Sequence, residues 1–292
     1  MGHNYLLSAV IPATCMYGRM QTFKNWLADC VSLNIEIIVV HDKRDELTGV
    51  ELKAIMDENP DLNFQYFESF LGSPGMARNL GKFNAQGKWV VFWDIDDLPV
   101  PRKLFEILES IDTNEEIDIL ITGSEIHDKT RQSIKYIGDF ELETAGYNLG
   151  LWRMIFRRGL ISTIEFLPIK WGEDLLFFSQ VMSKNPQIKI VNEITYKYFR
   201  GIPNQLSSKR EYFKDLEVAL MELDNIDISH SKMSDTLLSI KSRLYLSLIK
   251  NSFPKNMVYA MGQIIENFRH SSNKSRLVQS IFRLLVKSFN GG

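Results

Sequence analysis

The 292-residue chain has very little cysteine, only Cys15 and Cys30. Two thiols give no disulfide framework and no metal-ligand spacing, so a reducing cytoplasm is the simplest expected setting. No run of about 18 apolar residues occurs, and no membrane-spanning helix is expected. The N-terminus lacks a basic segment followed by an apolar stretch of signal-peptide length. Leu6 does not fit a myristoylation signal after the Met-Gly start. Internal repeats and low-complexity segments are also absent. What remains is ordinary globular composition, 45% hydrophobic and 24% charged, in a length that suits one large domain or two small ones.

The net charge is −2, but it is unevenly placed. From Ser231 onward 10 Lys and Arg face only Asp235 and Glu266, which leaves residues 1–230 acidic. Such asymmetry assigns the tail a job of its own, and an anionic surface is one candidate.

The first half alternates short apolar runs with helical patterns. "YLLSAVIPAT" reads as a strand ending at Pro12, "IEIIVVHD" as a fully buried strand, "LNFQYFES" as a third and "KWVVFW" as a fourth. Between them "MQTFKNWLADCVSL", "LTGVELKAIMDEN" (with Thr48 a candidate cap) and "SPGMARNLGKFNAQG" read as helices. This alternation predicts βαβ units and an α/β fold with a mostly parallel central sheet flanked by helices. In such sheets ligands bind at the carboxyl ends of strands. Pro12–Thr14, His41–Asp42 and Asp94–Asp97 each close a strand and are expected to lie near one another. The middle is less regular, "EIDILITGSEIH" and "IKIVNEITYKYF" being strand-rich, and helix dominates from about Tyr212.

Three motifs carry chemistry. In "WDIDD" the side chains of an extended Asp94-x-Asp96 share one side of the backbone and converge. Hard carboxylate oxygens suit Mg2+ or Mn2+ together with a substrate's phosphates. The plain alternative is a solvated acidic turn with Asp97 capping a helix. In "GSPGMARNLG" the glycines allow close backbone approach, and Arg78 offers a fork for phosphate or a nucleobase carbonyl. It lacks the Gly-Lys-Ser/Thr ending of a P-loop. In "WGEDLLFF", Glu173 and Asp174 stand at a helix start, where the dipole favours acids. A carboxylate there can also serve as a general base toward a hydroxyl.

In order and spacing these segments resemble the family 2 glycosyltransferases, over roughly residues 5–210. "LLSAVIPATCMYGRM" is similar to that family's first strand and nucleotide loop, and "IEIIVVHDKRDE" to its strand ending in Asp-Asp-Gly-Ser. "GMARNLGKFNAQGKWVVFWDIDD" resembles its Ala-Arg-Asn-x-Gly stretch and Asp-x-Asp motif. "LWRMIFRRGLI", "WGEDLLFF" and "YKYFRGIPNQLS" resemble its acceptor-side, Glu-Asp and Tyr-x-Tyr-Arg segments. His41 and Lys43 depart from the second motif.

The resemblance implies a GT-A (Rossmann-like) catalytic domain over 1–210 and a helical C-terminal region over 211–292. It implies an inverting, metal-dependent enzyme that moves a sugar from a nucleotide sugar, a UDP-sugar by expectation, to a glycan or lipid-linked acceptor in surface polysaccharide synthesis. Pro12, Thr14, Asp42, Arg78, Asp94 and Arg200 would contact the nucleotide. Asp96, with Asp94, would hold Mn2+ or Mg2+. Asp174 would be the base with Glu173 beside it, and Trp152 and Trp171 would meet the acceptor. A sugar nucleotidyltransferase and a non-catalytic glycan- or nucleotide-binding relative are the alternatives. "PATCMYGRM" has one basic residue, fewer than a nucleotidyltransferase loop should carry.

In the tail, Arg276, Gln279, Arg283 and Lys287 share one helical face. Residues 274–289 suit contact with an anionic membrane at the inner face of the cell, or packing on a protein surface, with 268–276 as a hinge. Stacking aromatics are not interleaved with these charges, so no nucleic acid is expected. The sequence sets no oligomeric state.

Overall fold

The computed structural model describes residues 5–111, 116–137, 149–201, 213–226, 234–252 and 257–270. Two compact units emerge. The first comprises Met1–Asp139, Gly150–Pro168 and Pro186–Gln205; the second comprises Phe140–Leu149, Ile169–Asn185 and Leu206–Gly292.

The first unit is α/β. Its strands are β1 (Leu7–Ala13), β2 (Ile35–Asp42), β3 (Phe64–Ser69), β4 (Trp89–Phe92), β5 (Leu98–Pro99), β6 (Ile119–Asp128), β7 (Ser133–Ile137), β8 (Met154–Arg157) and β9 (Ile188–Arg200). They form one sheet in the order β3-β2-β1-β4-β8-β6-β9-β5, with β7 paired to β6. The β3-β2-β1-β4 half is parallel. Helices α1 (Gln21–Leu27), α2 (Glu46–Glu58) and α3 (Pro74–Asn84) supply the crossovers that parallel strands require. The other half is mixed: β8 runs antiparallel to both β4 and β6, while β6 and β9 are parallel. A mostly parallel sheet thus gives way to a mixed one. An apolar run buried on both faces has the same pattern in either direction, so strand direction beyond β4 is not written in periodicity.

The core follows from these apolar strands. Alternate residues Leu7, Ala9 and Ile11 of β1 and Ile35, Ile37 and Val39 of β2 pack with Phe23 and Trp26 of α1 and with Leu104 and Leu108 of α4 (Pro101–Ile111). Trp26 meets Trp93 edge to face at 5.3 Å, which anchors the chain where β4 ends. On the opposite face α3 lies so close that a Cβ on Gly81 would stand 2.4 Å from Val10 Cγ1. That close approach seats α3, and with it Arg78, against β1. Ser73 caps α3 through Met76 N–H, and Pro74 starts it. Asp45, not Thr48, caps α2. Pro12 falls inside β1, beyond Val10 where the pairing with β4 stops, so that side of the strand is an edge there.

The second unit contains α6 (Glu173–Met182), α7 (Phe213–Asp224), α8 (Ser234–Ser252) and α9 (Met257–His270); a four-residue α5 (Arg158–Ile161) belongs to the first. Leu216, Ala219 and Leu223 of α7 and Leu237, Leu244 and Leu248 of α8 are buried. A Cβ on Gly172 would meet Ala219 at 3.2 Å and Leu244 at 3.5 Å, so the start of α6 packs on both helices. Helix α9 continues through His270, so the first residues of the expected hinge at 268–276 are helical. The tail segment 274–289 lies outside the described residues. Among the described residues no helix is long and apolar enough to cross a membrane.

Gly81→Ala should overpack the α3–sheet contact and destabilise the protein by about 1–3 kcal/mol. Chemical denaturation would measure this; an unchanged midpoint would contradict the packing described.

Candidate active site

The strand order turns around between β1 and β4, and open α/β sheets bind ligands outside the carboxyl ends at such a point. The loops after β1 and β4 flank it. Trp93 N–H donates to Val10 O at 3.0 Å, which carries the pairing one residue beyond β4. Asp94, Asp96 and Asp97 follow at once, and the structure separates their roles.

Asp97 is fully buried. Its Oδ2 accepts from the Tyr196 hydroxyl at 2.9 Å and its Oδ1 from Phe199 N–H at 2.8 Å. The Tyr196 oxygen in turn accepts from Asp94 N–H at 3.1 Å. Burial, then Asp94 and Asp96, push the Asp97 carboxyl well above the usual carboxylate range. Asp97 therefore faces the protein, neither capping a helix nor pointing at solvent.

Asp94 and Asp96 are partly exposed. Arg78 Nη2 lies 3.2 Å from Asp94 Oδ1, and Arg19 Nη2 lies 3.9 Å from Asp96 Oδ2. Burial and the neighbouring Asp94 raise the Asp96 carboxyl to about 6. Among the described residues no group of three or more His, Cys, Asp or Glu forms a cage for a metal. Mg2+ and Mn2+ need no such cage when one or two carboxylates and a substrate's phosphates share them. Two neighbouring, partly exposed carboxylates fit that mode, because a bound cation would offset the crowding of like charge.

The loop after β1 is held by α2. Cys15 N–H donates to Asp45, Met16 and Tyr17 N–H to Thr48 Oγ1 at 2.9 and 3.0 Å, and Gly18 N–H to Glu51 at 2.7 Å. Four consecutive amide donors are thereby taken by side chains. Such a loop is a fixed platform, not a phosphate-cradling nest. Thr14 sits exposed at its start and Pro12 half-buried behind it.

At the end of β2, Arg44 bonds Asp42 through Nε at 2.9 Å and also through Nη2. With help from Gly72 N–H, this guanidinium holds the Asp42 carboxyl down at about 2. His41 turns inward: its Nε2 meets Asp45 O at 2.7 Å and its Nδ1 meets the Tyr66 hydroxyl at 2.9 Å. The departure at His41 is thus structural, tying β2 to the start of α2.

Trp152 lies nearly parallel to Tyr196 and Tyr198, with centroids at 4.6 and 5.5 Å. Arg200 follows Phe199, the residue whose amide binds Asp97. Pro12, Thr14, Asp42, Arg78, Asp94, Asp96, Trp152 and Arg200 all belong to the first unit. Trp171, Glu173 and Asp174 belong to the second. There Gly172, at φ 87°, leads into α6; Glu173 is buried, and Asp174 Oδ1 accepts from Leu175 N–H at 2.8 Å. Sequence reasoning gives no site role to Arg19, Arg44, Thr48 or Tyr196: Thr48 reads as a helix cap, Arg19 only as the basic residue of its loop, and Tyr196 only as the first tyrosine of the Tyr-x-Tyr-Arg segment.

The folding pattern is that of the GT-A glycosyltransferases. The structure matches residues 1–349 of Staphylococcus aureus TarS, solved with UDP-GlcNAc, at TM-score 0.67, with 18% identity and coverage of 98% of this chain and 92% of that one. It matches the Pyrobaculum calidifontis mannosyltransferase PcManGT, solved with GDP-Man and Mn2+, at TM-score 0.55, with 13% identity over 96% and 87%. Residues 10–165 match the family described as Glycosyl transferase family 2, and the chain belongs to it. It is 30% identical over 269 residues to an uncharacterized glycosyltransferase of Rickettsia felis, covering 85% of this chain and 40% of that protein. It is 25% identical over 176 residues to the Bacillus subtilis minor teichoic acid biosynthesis protein GgaB, covering 56% and 19%. The chain thus spans less than half the length of these two relatives.

Thr48→Val would leave the Met16 and Tyr17 amides without an acceptor, at a cost of about 1–3 kcal/mol. Hydrogen exchange at those two amides should accelerate; unchanged protection would contradict the clamp.

Proposed function

We propose that the chain is an inverting glycosyltransferase, moving a sugar from a nucleotide sugar, with UDP as the expected nucleotide, to a hydroxyl of a glycan or lipid-linked acceptor. The observation that carries the reading is the pairing of Asp94 with Arg78 and of Asp96 with Arg19 beside a loop whose amides are already occupied. A diphosphate there is met by side-chain cations and carboxylate-held metal, not by a backbone nest. This disfavours a nucleotidyltransferase, which would need those donors for phosphate. The names of GgaB and of the TarS and PcManGT complexes support surface polysaccharide synthesis, a nucleotide-sugar donor and a divalent ion.

In this reading Thr14 and Asp42 face the nucleobase or ribose, and Pro12 shapes the wall behind them. Arg44 supplies the donors that flank Asp42. Arg78 and Arg200 approach the diphosphate. Asp96, with Asp94, would hold Mn2+ or Mg2+, which when bound supplies Lewis-acid stabilisation of the leaving diphosphate. Trp152 and Trp171 contact the acceptor, and Glu173 orients it. Asp174 takes the proton from the acceptor hydroxyl as that oxygen attacks the anomeric carbon, and a single displacement inverts the configuration. The 1–210 and 211–292 division is read as catalytic and helical regions, with residues 274–289 resting on anionic membrane at the cytoplasmic face.

Incubation with a panel of UDP-sugars and candidate acceptors should release UDP; release of pyrophosphate from UTP and sugar 1-phosphates in a parallel incubation would point to the nucleotidyltransferase, and no turnover in either incubation to a binding protein. Asp174→Asn should keep UDP binding while turnover falls about 100- to 10,000-fold. Undiminished turnover would remove Asp174 from the base's role.

A further inference from the structure

The Asp94–Asp97 turn does not hold its shape alone. Its inner scaffold is a second segment far away in sequence, the end of β9. Asp94 N–H donates to the Tyr196 oxygen at 3.1 Å, and the Tyr196 hydroxyl donates to Asp97 at 2.9 Å. One phenol thus bridges the first and last carboxylate-bearing residues of the turn. Within the turn Asp97 N–H donates to Asp94 O at 3.2 Å, which closes the loop on itself. Phe199 N–H fixes the other Asp97 oxygen.

Three further contacts hold the phenol in place. Pro99 and Tyr196 are register partners in the β5–β9 pairing. Val100 N–H donates to Thr195 O at 2.8 Å. Trp152 stacks on the Tyr196 ring, 4.6 Å away and tilted by 14°. Tyr196 and Asp97 are both fully buried, so neither touches substrate or metal.

We propose that Tyr196, acting through Asp97 and the Asp94 amide, is a positioning residue that presets the Asp94–Asp96 turn for a divalent cation carrying a nucleoside diphosphate. The inference rests on the metal-bound diphosphate reading above. The turn carries two carboxylates that repel each other before a cation arrives, so an unbraced turn would splay them. The Tyr196 bridge acts on the backbone at Asp94 and the side chain at Asp97, one on each side of Asp96. Outer-shell partners of this kind are known to govern metal affinity without touching the metal.

The test is calorimetry of UDP binding with and without Mn2+, together with Mn2+ binding followed by electron paramagnetic resonance, on the full chain. Tyr196→Phe keeps the ring against Trp152 and removes only the hydroxyl. It should retain a cooperative unfolding transition above the assay temperature and unchanged metal-free UDP binding, yet bind Mn2+ in the presence of UDP about 10- to 100-fold more weakly. Asp97→Asn should show a loss of the same kind. The double variant should be no weaker than the worse single one, because both act through the same bridge. If Tyr196→Phe does not fold, Asp97→Asn alone carries the test. Parental Mn2+ affinity in folded Tyr196→Phe, or additive losses in the double variant, would overturn the positioning role. Absence of Mn2+-dependent UDP binding in the parent, with Asp96→Ala behaving identically, would overturn the metal-bound diphosphate reading, and the positioning role with it.

Discussion

Asp97 is a carboxylate with no exposed surface at the end of an apolar strand, and the site depends on how it is accommodated. An acid in such a place is tolerable only when its oxygens are hydrogen-bonded. Tyr196 and the Phe199 amide meet that need. In doing so they join the turn after β4 to β9, two segments about a hundred residues apart. Once Asp97 is committed inward, Asp94 and Asp96 are the two carboxylates left with exposed surface, each facing an arginine. The crowding of three acids in four residues resolves into one buried anchor and two partly exposed groups, which the proposed function assigns to a substrate-borne cation.

A second constraint works from the other side of the β1–β4 gap. The amides of residues 15–18 are consumed by α2 side chains. The loop after β1 therefore does not offer the backbone anion nest by which many nucleotide-binding folds hold phosphate. In the proposed reading, charge on a diphosphate is met by side-chain cations and by whatever Asp94 and Asp96 hold, not by the amides of this loop. Fold alone does not separate sugar transfer from nucleotidyl transfer, since both chemistries use α/β sheets, so the proposed reading leans on the occupied amides of this loop.

The legible part of the fold was the parallel half. Periodicity placed β1 through β4 and their crossover helices because buried strands and amphipathic helices leave different spacings. The antiparallel entry of β8 was invisible, since burial on both faces says nothing of direction. In the candidate site, motif context singled out Asp94, Asp96 and Arg78, and the structure brings Arg78 against Asp94. Tyr196 as a bridge was not, because its partner Asp97 is nearly a hundred residues away. Thr48 looked like a helix cap by composition, but Asp45 took that place, and the Thr48 hydroxyl was left for the neighbouring loop. His41 departs from the family pattern in a way that only its contacts with Asp45 and Tyr66 explain.

The central claim is that Asp94 and Asp96, and not Asp97, face a metal-bound diphosphate. Paramagnetic broadening of backbone amide signals by Mn2+ in the presence of UDP reads this directly, residue by residue. The account predicts that broadening is strongest at Asp94–Asp96, extends to Arg19 and Arg78, and disappears in Asp96→Ala. Broadening centred elsewhere on the chain, or unchanged in Asp96→Ala, would contradict it.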